Sequence, residues 1–279
     1  MTVNRIHPLL YVITRLALVL IVAMIALPIL WMLATSLRLP RDSWRLPPDF
    51  FPRPPLLWSN YVRVFRTFPF FTHFVNSAIV SVAAVTGQLI VSSMAAFALA
   101  RIPFRGSFFV FVLILAGIMV PHQVTIIPLF IVMRQLTILD TLTALILPHM
   151  VFPMSVFLMR QFVLTIPLSY DEAAAMEGLG RFSIYRLIIL PMIKPAVLVS
   201  AIMHLLVVWN DFFRPLVLIR SLDKMTLPLG LFQLRGHMGS GSMSVVVAGI
   251  VLSIIPPLIF FAVGQKYLMK GLESGGLKF

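Results

Sequence analysis

A chain of 279 residues that is 60% hydrophobic and only 11% charged, with a mean hydropathy of +1.01, has too few polar side chains to fold as a water-soluble globule. Its 22 basic and 9 acidic residues leave a net charge of +13, but the basic residues flank apolar runs instead of forming a stripe with interleaved aromatics, which points to anionic lipid and away from nucleic acid. With no cysteine, disulfides and thiolate metal sites are excluded.

Uncharged runs of about 18 residues or more, punctuated by Pro, Gly and Arg, predict an all-α integral membrane bundle. A β-barrel would alternate apolar and polar residues in short segments. Six transmembrane helices are expected, over residues 12–35, 73–99, 107–131, 139–163, 196–219 and 243–264. Arg5 and Arg15 precede the first run as they would in a secretory leader. That run continues for about twenty residues without a small-residue cleavage site, so a retained span is expected.

The loop over 36–72 carries Pro40, Pro47, Pro48, Pro52, Pro54 and Pro55, which forbid a long helix, while Trp44, Trp58 and Tyr61 suit the headgroup level. Arg101 to Gly106 is short enough to be only a tight reversal between the second and third spans. Pro121, Pro128, Pro148 and Pro153 fall in or near the third and fourth spans, and backbone groups released there need partners in neighbouring helices or along a water-filled path. Basic residues are shared about equally by the two faces of such a bundle, so charge bias does not orient it.

Between the fourth and fifth spans lies a polar island, Ser169 to Pro195, with three of the nine acids: Asp171, Glu172 and Glu177. Ser169 and Glu172 have the spacing of a capping box, so a helix is expected from Tyr170. Asp171 and Glu172 suit its positive end, Ala173 to Ala175 favour helix, and Gly178 or Gly180 can end it in a left-handed conformation. Helical spacing resumes from Arg181 to Leu190, until Pro191 and Pro195 break it. Residue pattern alone fits either an interfacial amphipathic helix or a docking helix for another protein.

In the fifth span His204, Trp209 and Asn210 are candidates for a translocation path, since polar groups in or near a span are costly and often line one, and an indole face beside an amide offers apolar and hydrogen-bonding contacts together. The plainer alternative places Trp209 in the aromatic belt and pairs Asp211 with Arg214. The six histidines show no ligand spacing, so no metal site is expected. No phosphate-cradling Gly-Lys pair, metalloprotease motif or nucleophile elbow is found, so no catalytic residues are expected.

Glu172-Ala173-Ala174, Gly178 four residues on, then Ile189-Leu190-Pro191 resembles the EAA loop of ABC importer permeases. Asn76-Ser77, Ile127-Pro128-Leu129, Asp140-Thr141 with Ala144 to Pro148, and Trp209-Asn210-Asp211-Phe212 with Pro215-Leu216 resemble the carbohydrate-importing branch. Thr226 to Gly230 and the tail Gln265-Lys266-Tyr267 with Lys270-Gly271-Leu272 are similar to the G-type subunit of maltose permeases. The approach Leu168-Ser169-Tyr170-Asp171, Glu177 in place of Asp, and Leu179 in place of a small residue depart from the family pattern.

The resemblance implies a type I ABC importer permease fold of six spans in a bacterial or archaeal cytoplasmic (inner) membrane, both termini cytoplasmic. It implies an N-terminal tail, first span and external proline-rich loop over 1–70, a permease domain over 71–265 with the coupling loop at 169–195, and a cytoplasmic tail over 266–279. By the same resemblance Asp171, Glu172, Ala173, Ala174, Glu177, Gly178, Leu190 and Pro191 couple the chain to an ATPase subunit. The implied partners are an F-type second permease, two nucleotide-binding subunits and an extracytoplasmic solute-binding protein. ATP and Mg would be bound by those partners, and no cofactor by this chain. The competing expectation is a stand-alone secondary transporter or channel driven by an ion gradient, which would need buried titratable relays or inverted repeats.

Overall fold

The structure is a computed structural model, and it describes residues 8–39, 42–43, 51, 54–238 and 243–275. Part of the proline-rich loop, including Pro40, Pro47, Pro48, Pro52 and Trp44, lies outside the described residues, as do Arg5 and the last four residues of the tail. Among the described residues the chain is helical, with no strand. Its helices are α1 (Pro8–Ser36), α2 (Ser59–Thr67), α3 (Phe70–Arg101), α4 (Ser107–Met119), α5 (Ile126–Gln135), α6 (Leu142–His149), α7 (Pro153–Thr165), α8 (Ser169–Met176) and α9 (Arg181–Ile184). A π-helical turn (Tyr185–Ile189) leads to α10 (Leu190–Met192), α11 (Lys194–Trp209), α12 (Phe213–Leu218), α13 (Leu227–Met238) and α14 (Met243–Gly275).

Among the described residues, four stretches are long and apolar enough to cross a membrane: Tyr11–Ser36, Phe70–Arg101, Leu142–Thr165 and Met243–Gln265. A fifth would be the pair Arg181–Met192 and Lys194–Trp209, bent by 76°. The expected third span is not one helix. It is divided into α4 and α5, because Pro121 disfavours a helical conformation at Val120, which is extended (φ −86°, ψ 113°). The same restriction acts at Phe152 before Pro153 (φ −133°, ψ 96°) and separates α6 from α7. Pro128 sits in the first turn of α5, where its missing N–H removes no helical bond.

The chain forms two compact units, Met1–Phe70 with Leu231–Ile254, and Phe71–Gly230 with Ile255–Phe279. In the first, the Asn60 amide donates to the carbonyls of Ser36 and Arg38, both at 2.9 Å, and so fixes α2 against the end of α1. Ser36 Oγ and the Tyr61 hydroxyl lie 2.8 Å apart, and buried Val64, Val245, Val246 and Val247 supply the apolar interior.

The second unit has two main apolar clusters. One joins α3, α5, α6, α11 and α12 through Val80, Ala84, Met133, Leu145, Val208 and Leu218. The other joins α3, α7 and the polar island through Phe97, Met159, Val163, Ala174, Ile184, Tyr185 and Ile189. The N-terminal turns of α3 hold the segment before α13. His73 Nε2 donates to the Leu222 carbonyl at 2.7 Å, Asn76 Nδ2 to the carbonyls of Asp223 (2.8 Å) and Met225 (3.0 Å), and Ser77 Oγ accepts from the Leu227 N–H at 2.8 Å. Residues at i, i+3 and i+4 share one helix face, so a single stripe of α3 satisfies four backbone groups of an irregular segment.

Candidate functional site

The island contains the helix expected from Ser169, but the capping box does not form. Leu168 at the cap position is already helical (φ −63°, ψ −23°), which puts Ser169 inside the helix and outside the extended geometry a side-chain cap requires. The first amides are satisfied instead by the preceding turn: Asp171 and Glu172 both donate to the Leu168 carbonyl, at 2.9 and 3.0 Å. At the other end Gly178 takes φ +84°, with Gly178 N–H bonded to Ala175 O and Leu179 N–H to Ala174 O, each at 3.0 Å. This pair of bonds is a Schellman motif, and it stops α8 sharply.

The two faces of α8 differ. Ala174 is buried in the cluster with α3 and α7, while Glu172, Ala173, Met176, Glu177 and Gly178 are exposed. Asp171 turns inward: its Oδ2 lies 3.2 Å from Arg101 Nε, both side chains being largely covered. Of the three acids, Glu172 and Glu177 therefore remain on the open face. Leu190 is half-buried against the same cluster, and Pro191 is exposed at the start of α10. The π-helical turn places the Tyr185 hydroxyl 2.8 Å from Ser93 Oγ of α3, with the Phe97 and Tyr185 rings 5.5 Å apart.

A second feature of this unit is a cleft of about 990 Å³ between α4, α6, α7 and α11. Ile118, Pro121, Phe152, Val207 and Phe213 form much of its wall, with His122, His149, His204, Asn210, Asp211 and Arg214 as polar members. Asp211 organises that polar edge. Its Oδ1 accepts the N–H groups of Phe213 (3.1 Å) and Arg214 (3.3 Å), and its Oδ2 accepts from His149 Nε2 (2.9 Å) and Arg214 Nη1 (3.2 Å). The carboxylate thus starts α12 and compensates the Arg214 charge in one place. His204 Nε2 donates to the His149 carbonyl at 2.7 Å, and its ring packs 4.4 Å from that of Phe152.

Of the residues read from sequence as a substrate path, His204 and Asn210 therefore reach the cleft. Trp209 does not line it; it is buried edge-on to Phe74, with ring centroids 5.5 Å apart. Asp211 and Arg214 form the ion pair that their i, i+3 spacing suggested. His149 was not singled out, since no local sequence signal connects it to Asp211, 62 positions away. No group of three or more His, Cys or acidic residues able to hold a metal occurs among the described residues.

Residues 88–273, which span the cleft and the island, match the model of the family described as binding-protein-dependent transport system inner membrane component. The chain belongs to that family. It is a permease subunit of an ABC importer, a transport component and not a catalyst, and this displaces the ion-driven stand-alone transporter. Among curated relatives it is 38% identical to the arabinooligosaccharides transport system permease protein AraQ of Halalkalibacterium halodurans, covering 80% of each chain. It is 30% identical to the sulfoquinovosyl glycerol transport system permease protein SmoH of Agrobacterium fabrum, over 90% of this chain and 88% of that one. A solved chain of a bacterial ABC transporter that imports the acidic polysaccharide alginate superposes with a TM-score of 0.81 at 25% identity, covering 96% of this chain and 99% of that chain.

Proposed function

We propose that this permease carries a sugar or oligosaccharide across a bacterial or archaeal cytoplasmic membrane, with a second permease chain, two ATP-hydrolysing subunits that hold ATP and Mg, and an external solute-binding protein. In this reading α8 is the coupling helix. It faces the cytoplasm and seats in a cleft of an ATPase subunit through Glu172, Glu177 and the exposed surface of Ala173 and Gly178. The observation that carries the reading is the two-sided character of α8: Ala174 and Asp171 anchor it to the spans, while its outer face keeps two unburied acids and a sharp glycine stop. A short helix held so firmly on one side can move as a rigid body with whatever grips the other.

The cleft suits the cargo class. Apolar walls with Phe152 and Phe213 beside the mixed donors and acceptors of Asn210, His122 and Arg214 offer what a sugar's CH faces and hydroxyls need. The relatives named above for carbohydrate or glycoside transport support that assignment. The test is the Glu172→Ala complex, purified with its ATPase subunits and reconstituted with the external binding protein. Substrate-stimulated hydrolysis and uptake should both fall at least tenfold. Normal stimulation and normal uptake would remove α8 from the coupling role.

A further inference from the structure

Arg101, the last residue of α3, stands where three helix ends meet. Its Nη2 donates to the carbonyl of Ile166, the C-cap of α7, at 2.6 Å. Its Nε lies 3.2 Å from Asp171 Oδ2 in the first turn of α8, with the Arg101 side chain only 6% exposed and that of Asp171 17%. Each contact is favourable for a separate reason. The guanidinium complements the negative C-terminal ends of α3 and α7, the Ile166 carbonyl lacks a continuing helical partner, and Asp171 sits at the positive end of α8. A planar guanidinium can donate to the Ile166 carbonyl and hold the Asp171 carboxylate as an ion pair at once, and a lysine, as a single point of charge, cannot match that geometry.

A second polar contact between α3 and the island is the pair Ser93 and Tyr185, about 12 Å away along α3 at 1.5 Å per residue. The island is thus tied to α3 on both of its limbs, by an ion pair at α8 and a hydrogen bond at the π-helical turn. Through the chain itself it is continuous only with α7 and α11. Without these ties α3 would meet the island through apolar contacts alone, and such contacts are non-directional.

We propose that Arg101 is a positioning residue that locks the coupling helix to α3 and α7, so that a displacement of α8 is delivered to α3 directly and not only along the chain. This rests on the coupling role of α8 given above. Arg101 makes the connection from the membrane side of α8, away from the face that meets the ATPase.

The test uses Arg101→Gln, Arg101→Lys and the exchanged pair Arg101→Asp with Asp171→Arg, each in the complete transporter and in the purified chain. In the complex, Arg101→Gln should keep the ATPase subunits bound and the KM for substrate within about twofold, while the number of substrates moved per ATP falls at least fivefold. Arg101→Lys should fall between, and the exchanged pair should recover part of the loss. In the chain alone, amide exchange over 169–178 should quicken about tenfold in Arg101→Gln. Unchanged exchange, or faster exchange with unchanged transport per ATP, overturns the proposal, as does loss of the ATPase subunits from Arg101→Lys. If the wild-type complex showed no substrate-stimulated hydrolysis, the coupling role of α8 would fall, and the exchange measurement would still decide whether Arg101 holds that helix.

Discussion

Gly178 shows how one residue sets the shape of the exposed end of α8. Its φ of +84° is open to glycine and costly to other residues, and no neighbouring atom lies within 4 Å of where a Cβ would be. Substitution there therefore meets backbone strain without a steric clash. Gly178→Ala should destabilise the end of α8 by about 1–2 kcal/mol, and Gly178→Asn by less, since asparagine visits the left-handed region more readily. Amide exchange over 175–179 and coupled hydrolysis in the complex measure both; equal behaviour of Ala and glycine at 178 would show that the stop does not depend on this conformation. A glycine stop was legible in the sequence, but not which glycine: Gly178 and Gly180 were both open, and only Gly178 takes the left-handed conformation. The Ser169 cap was not legible: whether a serine caps a helix depends on the φ and ψ of that residue, and here the turn through Pro167 and Leu168 had already supplied the acceptors. The inward turn of Asp171 was equally hidden, since its partner Arg101 is 70 positions earlier in the chain and belongs to another helix.

At the level of elements, the loops are held by side chains that reach across long sequence separations, and Asp140 is the clearest case. It precedes α6 with φ +58°, and its carboxylate accepts from the Ser221 hydroxyl, from the N–H groups of Arg220 and Ser221 at 2.9 Å each, and lies 3.6 Å from Lys224 Nζ. The Ser221 hydroxyl first, then the two backbone N–H groups, hold this carboxyl well below the usual carboxylate range. A depressed folded pKa stabilises the folded state fully above the unfolded value of about 4, and the contribution is lost as pH falls below that value toward the folded one. Amide exchange over 219–224 should therefore quicken severalfold as pH is lowered from about 5 to 3, after correction for the intrinsic pH dependence of exchange. Asp140→Asn should exchange faster at pH 7 and show little further change; a wild-type protection that stayed flat across that interval would contradict the assignment. Asp140 and Asn76 were both visible as residues of a family pattern, but sequence could not say that each clamps the backbone of the segment 218–227. The broken third span was half legible: Pro121 and Pro128 were noticed, yet only Pro121 interrupts, because Pro128 falls in a first turn where no bond is lost.

For the whole molecule, the number of bilayer crossings between the start of α3 and the island turns on α4 and α5. α3 and the α6–α7 stretch each suffice for a crossing. α4 has 13 residues and α5 has 10, so at 1.5 Å per residue they measure about 20 and 15 Å. Neither alone spans a hydrocarbon core of about 30 Å, but the two in sequence do. If they cross together, three crossings put Phe71 and Met176 on opposite sides; if α4 and α5 dip in and return, two crossings put them on the same side. The absence of cysteine makes the question directly answerable, since any introduced thiol is unique. Phe71 is 72% exposed and Met176 86% exposed, so neither Phe71→Cys nor Met176→Cys disturbs a packed position. With the island cytoplasmic, and in vesicles that hold the chain without its ATPase subunits, a membrane-impermeant maleimide should label Met176→Cys only when the vesicles are inverted and Phe71→Cys only when they are right-side-out. Labelling of both from the cytoplasmic side would make α4 and α5 a re-entrant pair, and labelling of Met176→Cys from outside would place α8 beyond the reach of any cytoplasmic ATPase.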